Sequence, residues 1–113
     1  MAIEMQKLIT EYVTAVKKIS GNHLKQVILY GSYARGDYTK DSDVDIMLLV
    51  DLAESELEIF SDALSELGFD YNVEYDIWMM PIVKNKKTFL HWSDIYPFYK
   101  NVKTEGISLY EAA

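Results

Sequence analysis

The chain has 113 residues, a formal net charge of −7 and no cysteine. This length fits one domain with a single core, spanning residues 1–113. The negative charge excludes a protein that binds duplex nucleic acid through an extended basic surface, because phosphate contacts dominate that affinity. Disulfides and zinc-thiolate sites are excluded by the lack of cysteine. No segment has the length of a membrane span or the apolar region of a signal peptide, so we expect a cytoplasmic protein without membrane association.

The first half of the chain predicts one helix and two strands. Apolar side chains recur at three- and four-residue steps within residues 3–19, which is typical of an amphipathic helix, and Ser20-Gly21-Asn22 ends it. Residues 27–30 and 46–50 are short apolar runs that predict buried strands. About a dozen residues join these strands, and the sequence leaves their pairing direction open.

The second half predicts a helix, a strand and a further helix. Residues 52–67 place apolar side chains on one helical face, and Gly68 follows as a stop. Residues 73–80 predict a third strand closed by Pro81, and residues 93–103 predict a helix that Gly106 breaks. This order predicts an α+β (mixed α/β) fold with a sheet of about three to four strands and helices packed mainly on one face.

The block between the first two strands carries the candidate chemistry. Gly31 lets the backbone approach a ligand closely, and Ser32 offers a hydroxyl and an N–H at the start of a turn, which together favour a phosphate cradle. Asp43 and Asp45, if extended, project from one strand face roughly 7 Å apart. Two such carboxylates can share a divalent cation, most plausibly magnesium, that holds a triphosphate against the turn.

Three rival motifs do not fit the same block. The glycine spacing is that of a Walker A loop, but Asp37 stands where lysine is required. The alternating aspartates imitate a calcium-binding EF-hand loop, yet Ile46 replaces its glycine and Leu52 its bidentate glutamate. A dinucleotide-binding fold is unsupported, because no Gly-x-Gly-x-x-Gly follows the strand.

The block resembles the motif of the minimal nucleotidyltransferase (MNT) proteins, a branch of the DNA polymerase beta-type nucleotidyltransferase superfamily. That pattern is Gly-Ser, ten residues, then Asp-x-Asp, and Gly31-Ser32, Ala34-Arg35-Gly36 and Ser42-Asp43 supply its parts. By length and element order the resemblance covers nearly the whole chain. It implies a small nucleotidyltransferase-type sheet, with Asp43 and Asp45 as catalytic metal ligands.

The resemblance also implies a third carboxylate on a later strand, which serves as general base or as ligand of a second metal. Residues 73–78 offer two candidates. Asp76 is favoured because Tyr75-Asp76-Ile77 is similar to the apolar-Asp-apolar segment of the family. Glu74 lies on the same face of the predicted strand and remains an alternative.

The implied activity is transfer of AMP from ATP, or of another nucleoside monophosphate from its triphosphate, to a hydroxyl, with one or two Mg²⁺ ions. MNT proteins such as the MntA-like antitoxins are commonly paired with a HEPN-domain toxin, whose tyrosine is the expected acceptor. Two alternatives stay open: a non-catalytic subunit that binds nucleotide and partner, and a small-molecule transferase of the aminoglycoside type. A homo- or hetero-oligomer fits either role.

The remaining polar and aromatic residues have less specific interpretations. Arg35 either contacts a phosphate or forms a structural salt bridge with Asp37 or Asp43. The lysines of residues 84–87 are expected to be ordinary surface lysines of a loop, and contact with the triphosphate or a polyanionic acceptor is the alternative. We interpret the aromatic residues after residue 88 as core and as a surface for another protein.

Overall fold

Helices and strands alternate along residues 3–112, the part of the chain that the computed structural model describes. The predicted domain, residues 1–113, therefore includes residues 1, 2 and 113, which lie outside the described range. In chain order the elements are α1 (Ile3–Ser20), a 3₁₀ turn (Gly21–His23), β1 (Leu24–Tyr30), α2 (Ser32–Arg35), β2 (Val44–Val50), α3 (Glu54–Tyr75), β3 (Met79–Asn85), α4 (Lys86–Trp92), α5 (Pro97–Glu105) and β4 (Ile107–Glu111).

The strands form one sheet in the order β3-β2-β1-β4. β1 pairs antiparallel with β2 and with β4, whereas β2 pairs parallel with β3. The antiparallel pairing of β1 and β2 answers the question that the sequence left open. It also places the residues between these strands, including Gly31 and Asp43, at one end of the two central strands of the sheet.

Both faces of the sheet carry a hydrophobic core. The long helices α1 and α3 pack on the first face, whose fully buried members include Tyr12, Val27, Leu48 and Leu64. On the second face, α4 and α5 contribute to a smaller cluster that we call the second-face core: Ile28, Tyr30, Met47, Leu49, Phe89 and Val102. The mixed α+β fold and the sheet of about four strands are confirmed. Among the described residues, no helix combines the length and apolar character that crossing a bilayer requires.

The sequence predicts that the second long helix ends at Gly68, but the helix passes through this residue. A Cβ at this position would lie 3.3 Å from Pro81 Cγ and 3.8 Å from Met79 Cβ. The glycine therefore lets α3 cross close to β3, and the helix continues to Tyr75. The predicted strand at residues 73–80 is wrong over residues 73–78, since α3 runs to Tyr75 and β3 begins at Met79 and runs through Pro81.

The C-terminal third also differs from the prediction. Lys86 and Lys87 begin α4 instead of lying in a loop, because the Asn85 side chain accepts the N–H of Thr88 at 3.0 Å and caps the helix. The predicted helix at residues 93–103 is displaced to α5, with proline in its first turn. It ends at Gly106 as predicted. β4 was not predicted, and it pairs with β1 at the sheet edge.

Candidate active site

The chain turns sharply at Gly31, immediately after β1. Gly31 has φ 73° and ψ −154°, a backbone region that is essentially restricted to glycine. Its carbonyl oxygen accepts the N–H groups of Ala34 at 3.1 Å and Arg35 at 3.0 Å, which closes the single turn of α2. Because the first N–H groups of a helical turn have no partner within it, Ser32 and its neighbour present donors at this point.

Asp43 and Asp45 flank a core residue at the start of β2. Val44 between them is fully buried, so both aspartates share the opposite face of the strand. Asp45 lies directly opposite Tyr30 of β1. A Cβ on Gly31 would collide with Asp45 Oδ2 and lie 3.2 Å from its Cγ. The carboxylate of Asp45 therefore packs against the Gly31 backbone, and this contact joins the turn and the acids into one site.

The loop that leads to the acids is held by its own hydrogen bonds. The N–H of Thr39 donates to Ser42 Oγ at 2.8 Å, and the N–H of Ser42 donates to the Thr39 carbonyl at 3.1 Å. At the start of this loop, the rings of Tyr33 and Tyr38 stack with their centroids 4.3 Å apart. These contacts fix the approach of the chain to Asp43.

The two acids repel each other in a partly buried setting. Burial raises the pKa of the Asp45 carboxyl above its ordinary value, the charge of Asp43 raises it further, and Arg35 opposes both effects. Burial and then the charge of Asp45 raise the pKa of Tyr30 to about 12. A cation between the carboxylates would relieve this repulsion, so the electrostatics favour a site for a positive ion.

Arg35 forms ion pairs at the rim of the site. Its Nε lies 3.2 Å from Asp37 Oδ2, and its Nη1 lies 3.5 Å from Glu105 Oε2. The predicted salt bridge to Asp37 is present. Through Glu105 the guanidinium also links α2 to α5. A contact of Arg35 with phosphate stays a prediction.

A cleft of about 500 Å³ lies between the Gly31 turn, the acids and α5. α5 contributes Phe98, Asn101 and Glu105 to its lining. This wall differs from the prediction, which places the aromatic residues after residue 88 in the core and on a surface for another protein. The spacing of the three α5 residues, i, i+3 and i+7, is the signal that could have placed them on one helical face.

The structure places the two candidates for a third carboxylate away from the cleft. Glu74 lies within α3, and Asp76 caps that helix with φ 53° and ψ 51°. Neither is among the described residues that line the cleft. Within residues 3–112, no cluster of three or more His, Cys, Asp or Glu side chains is placed to hold a metal ion. The prediction of a strand around Asp76 is wrong, because Asp76 follows α3 and precedes β3. A catalytic role for Asp76 stays a prediction.

Known proteins share this combination of motif and fold. The family model of the nucleotidyltransferase domain matches residues 9–106. The chain belongs to the nucleotidyltransferase domain family. This membership confirms the resemblance found in the sequence and the predicted enzyme class, nucleotidyltransferase.

Two archaeal relatives of this nucleotidyltransferase come from Methanocaldococcus jannaschii. "Putative protein adenylyltransferase MJ0604" is 36% identical over 108 residues, which cover 93% of this chain and 97% of that protein. "Putative protein adenylyltransferase MJ0141" is 36% identical over 84 residues, which cover 74% of this chain and 83% of that protein.

Solved structures share the fold at lower sequence identity. A nucleotidyltransferase-type protein from Sulfolobus solfataricus has a TM-score of 0.64 and 23% identity, covering 96% of this chain and 82% of that chain. The crystal structure of a toxin-antitoxin with AMP-PNP has a TM-score of 0.61 and 18% identity, covering 91% of this chain and 73% of that chain. At these identities the likeness shows the fold of the nucleotidyltransferase domain.

Proposed function

We propose that this nucleotidyltransferase transfers AMP from ATP to a tyrosine hydroxyl of a partner HEPN-domain toxin and so acts as its antitoxin. The observation that carries the transfer chemistry is the packing of the Asp45 carboxylate against the Gly31 backbone. This contact brings a pair of acids to a glycine turn inside one cleft of about 500 Å³, a volume within the usual range for small-molecule sites.

The donor set fits magnesium. Mg²⁺ in nucleotide sites is usually held by one or two carboxylates together with substrate phosphates, and Asp43 and Asp45 supply such a pair. When bound, the ion would neutralise phosphate charge and polarise the reacting phosphoryl group. Burial and the charge of Asp43 raise the pKa of the Asp45 carboxyl, and a bound cation would oppose both effects, which supports this assignment.

The remaining residues of the site position the nucleotide. The Ser32 hydroxyl and the N–H groups at the start of α2, next to the Gly31 turn, would bind the terminal phosphates. Arg35 lies at the rim, where its guanidinium could leave Asp37 or Glu105 for a phosphate. Holding the triphosphate in one orientation supplies much of the rate enhancement in such reactions.

The choice of acceptor is supported by relatives. Both Methanocaldococcus proteins are named as protein adenylyltransferases, which favours a protein hydroxyl over an aminoglycoside. Structures of toxin-antitoxin complexes share the fold, which supports a toxin as the partner. The net charge of −7 also disfavours a polyanionic acceptor such as RNA.

The test uses α-labelled ATP and Mg²⁺, with and without the protein encoded next to this one. We expect label on a tyrosine of that neighbour. Asp43→Asn and Asp45→Asn should each lower transfer by at least about 100-fold, because removing a metal ligand forfeits several kcal/mol of charge stabilisation. Asp45→Asn should stay folded, since burial and Asp43 already disfavour the ionised form of Asp45 in the native protein, and Asp43→Asn should stay folded because it removes the same repulsion.

Asp62→Asn is the matched control, because Asp62 is an exposed carboxylate in α3 outside the cleft. Asp76→Asn decides the prediction for that residue. Label on an aminoglycoside instead of the neighbour would favour the small-molecule alternative, and ATP binding without any transfer would favour a non-catalytic subunit. Full activity in both the Asp43 and Asp45 variants would refute the proposal.

A further inference from the structure

One row of paired residues crosses the sheet through Asp45. Asp45 is paired with Tyr30 on one side and with Met80 of β3 on the other. Val44 and its partner Met79 both face the first core, with exposures of 0% and 2%. Their neighbours Asp43, Asp45, Trp78 and Met80 therefore share the opposite face. Trp78, just before β3, and Met80, within it, therefore lie next to the acids on the β3 side, beside the cleft and outside its lining. Both residues are open to solvent, with exposures of 60% and 46%.

The start of β3 is held from both sides. On the inner side, the N–H of Val44 donates to the Trp78 carbonyl at 2.7 Å. On the outer side, the Asn72 side chain of α3 accepts the N–H of Met79 at 2.6 Å and donates to the Met79 carbonyl at 3.3 Å. Met80 is therefore exposed on a paired strand, and Trp78 is exposed at a position whose backbone is hydrogen-bonded to β2.

The in-line geometry of phosphoryl transfer gives the β3 side of the two aspartates a role. In phosphoryl transfer the attacking and leaving oxygens lie roughly in line. The Gly31 turn follows β1, on one side of β2, and under the proposed function it holds the departing pyrophosphate. The attacking hydroxyl must then approach from the other side of β2, where β3 lies.

We infer that Trp78 and Met80 form the acceptor wall of the site and that this wall selects an aromatic hydroxyl, the side chain of a tyrosine. The inference rests on the proposed function and specifies its acceptor side. An indole face and a thioether both make favourable contacts with an aromatic ring. The stretch Trp78-Met79-Met80-Pro81 carries no charge, so it offers no cation to the phosphates of an RNA acceptor.

The experiment measures transfer from α-labelled ATP with Mg²⁺ to two small acceptors, N-acetyltyrosinamide and N-acetylserinamide. The bond formed joins the acceptor oxygen to the α-phosphorus, the bond to pyrophosphate breaks, and the hydroxyl proton passes to solvent. Wild-type protein should prefer the tyrosine probe in kcat/KM. Trp78→Ala should lower kcat/KM for that probe by about tenfold, mainly through KM, while leaving the serine probe unchanged.

Trp78→Phe should restore most of the preference, since a ring remains, and Met80→Ala should reduce it by a smaller factor of about threefold. Phe69→Ala is the matched control, because Phe69 is a similarly exposed aromatic residue, at 65% exposure, of α3, the helix that packs on the sheet face opposite the acids. Nucleotide affinity, measured by calorimetry with a non-hydrolysable ATP analogue and Mg²⁺, should be the same in all four variants.

Equal kcat/KM for both probes in the wild type, or an unchanged ratio in Trp78→Ala, would overturn the inference. Cleavage of ATP that depends on Asp45 but labels neither probe would also overturn it, while leaving the proposed nucleotidyl transfer intact. If neither ATP binding nor cleavage depends on Asp45, the proposed function fails first, and the acceptor wall fails with it.

Discussion

Replacing Gly31 by alanine tests the contact that joins the two halves of the site. The φ and ψ of Gly31 lie in a region where other residues incur about 1–3 kcal/mol of strain. The added methyl group would also collide with the Asp45 carboxylate. We therefore expect Gly31→Ala to lose about 1–3 kcal/mol of unfolding free energy and to displace Asp45. A domain of ordinary stability, about 5–15 kcal/mol, would still fold.

Gly36→Ala separates backbone strain from damage to the site. Gly36 has φ 87° and ψ 6°, and a methyl group added there would meet no neighbouring atom within 4 Å. The substitution should cost about 1–2 kcal/mol of unfolding free energy and leave the acids in place. Affinity for ATP with Mg²⁺ should fall more than about tenfold in Gly31→Ala, as for loss of one charge-assisted contact.

Urea unfolding gives the stability of each variant, and calorimetry with a non-hydrolysable ATP analogue and Mg²⁺ gives its affinity. The two glycine variants should have similar unfolding free energies and different affinities for the nucleotide. If Gly31→Ala bound the nucleotide as tightly as Gly36→Ala does, the Asp45 contact would have no part in the site.

Three further predictions concern the fold. Phe89→Ala should cost about 3–5 kcal/mol in urea unfolding, because Phe89 is a large buried member of the second-face core; a cost below about 1 kcal/mol would contradict that role. Asn72→Ala should cost about 1–3 kcal/mol by leaving Met79 backbone groups unpaired, and faster amide exchange at Met79 would verify the mechanism. The His23 hydrogen bond lowers the pKa of the Asp51 carboxyl, so Asp51→Asn should be less stable than wild type above about pH 4, and the difference should vanish as pH falls through the lowered pKa. Thermal unfolding of both proteins from pH 2 to 7 measures this, and a pH-independent difference would refute it.

The sequence was most informative where structure is determined locally. α1 follows from its apolar periodicity, and the aspartates around Val44 follow from the two-residue repeat of a strand. The boundary of α3 and β3 could not be found in this way, because Tyr71, Val73 and Tyr75 suit a strand as well as a helix. The hydrogen bonds between the Asn72 side chain and the Met79 backbone fix the start of β3, and they exist only in the folded chain.

The cleft wall formed by α5 and the strand β4 could not be predicted from the sequence, for a related reason. β4 is short and half exposed, so it lacks the alternation that identifies a strand. Its partner is β1, some eighty positions earlier in the chain. The assignment of Phe98 to the cleft depends on the packing of α5 beside β1, where its ring meets Tyr30 edge to face at 5.8 Å.

The outer edge of β3 limits how another polypeptide can dock on this protein. Edge strands usually invite an incoming strand to extend the sheet. Here the outward N–H and carbonyl of Met79 already bond to Asn72, and Pro81, the next outward-facing residue, has no N–H to offer. A visiting chain therefore finds no main-chain ladder at this end of β3. At this end of β3, a docking chain is recognised through its side chains.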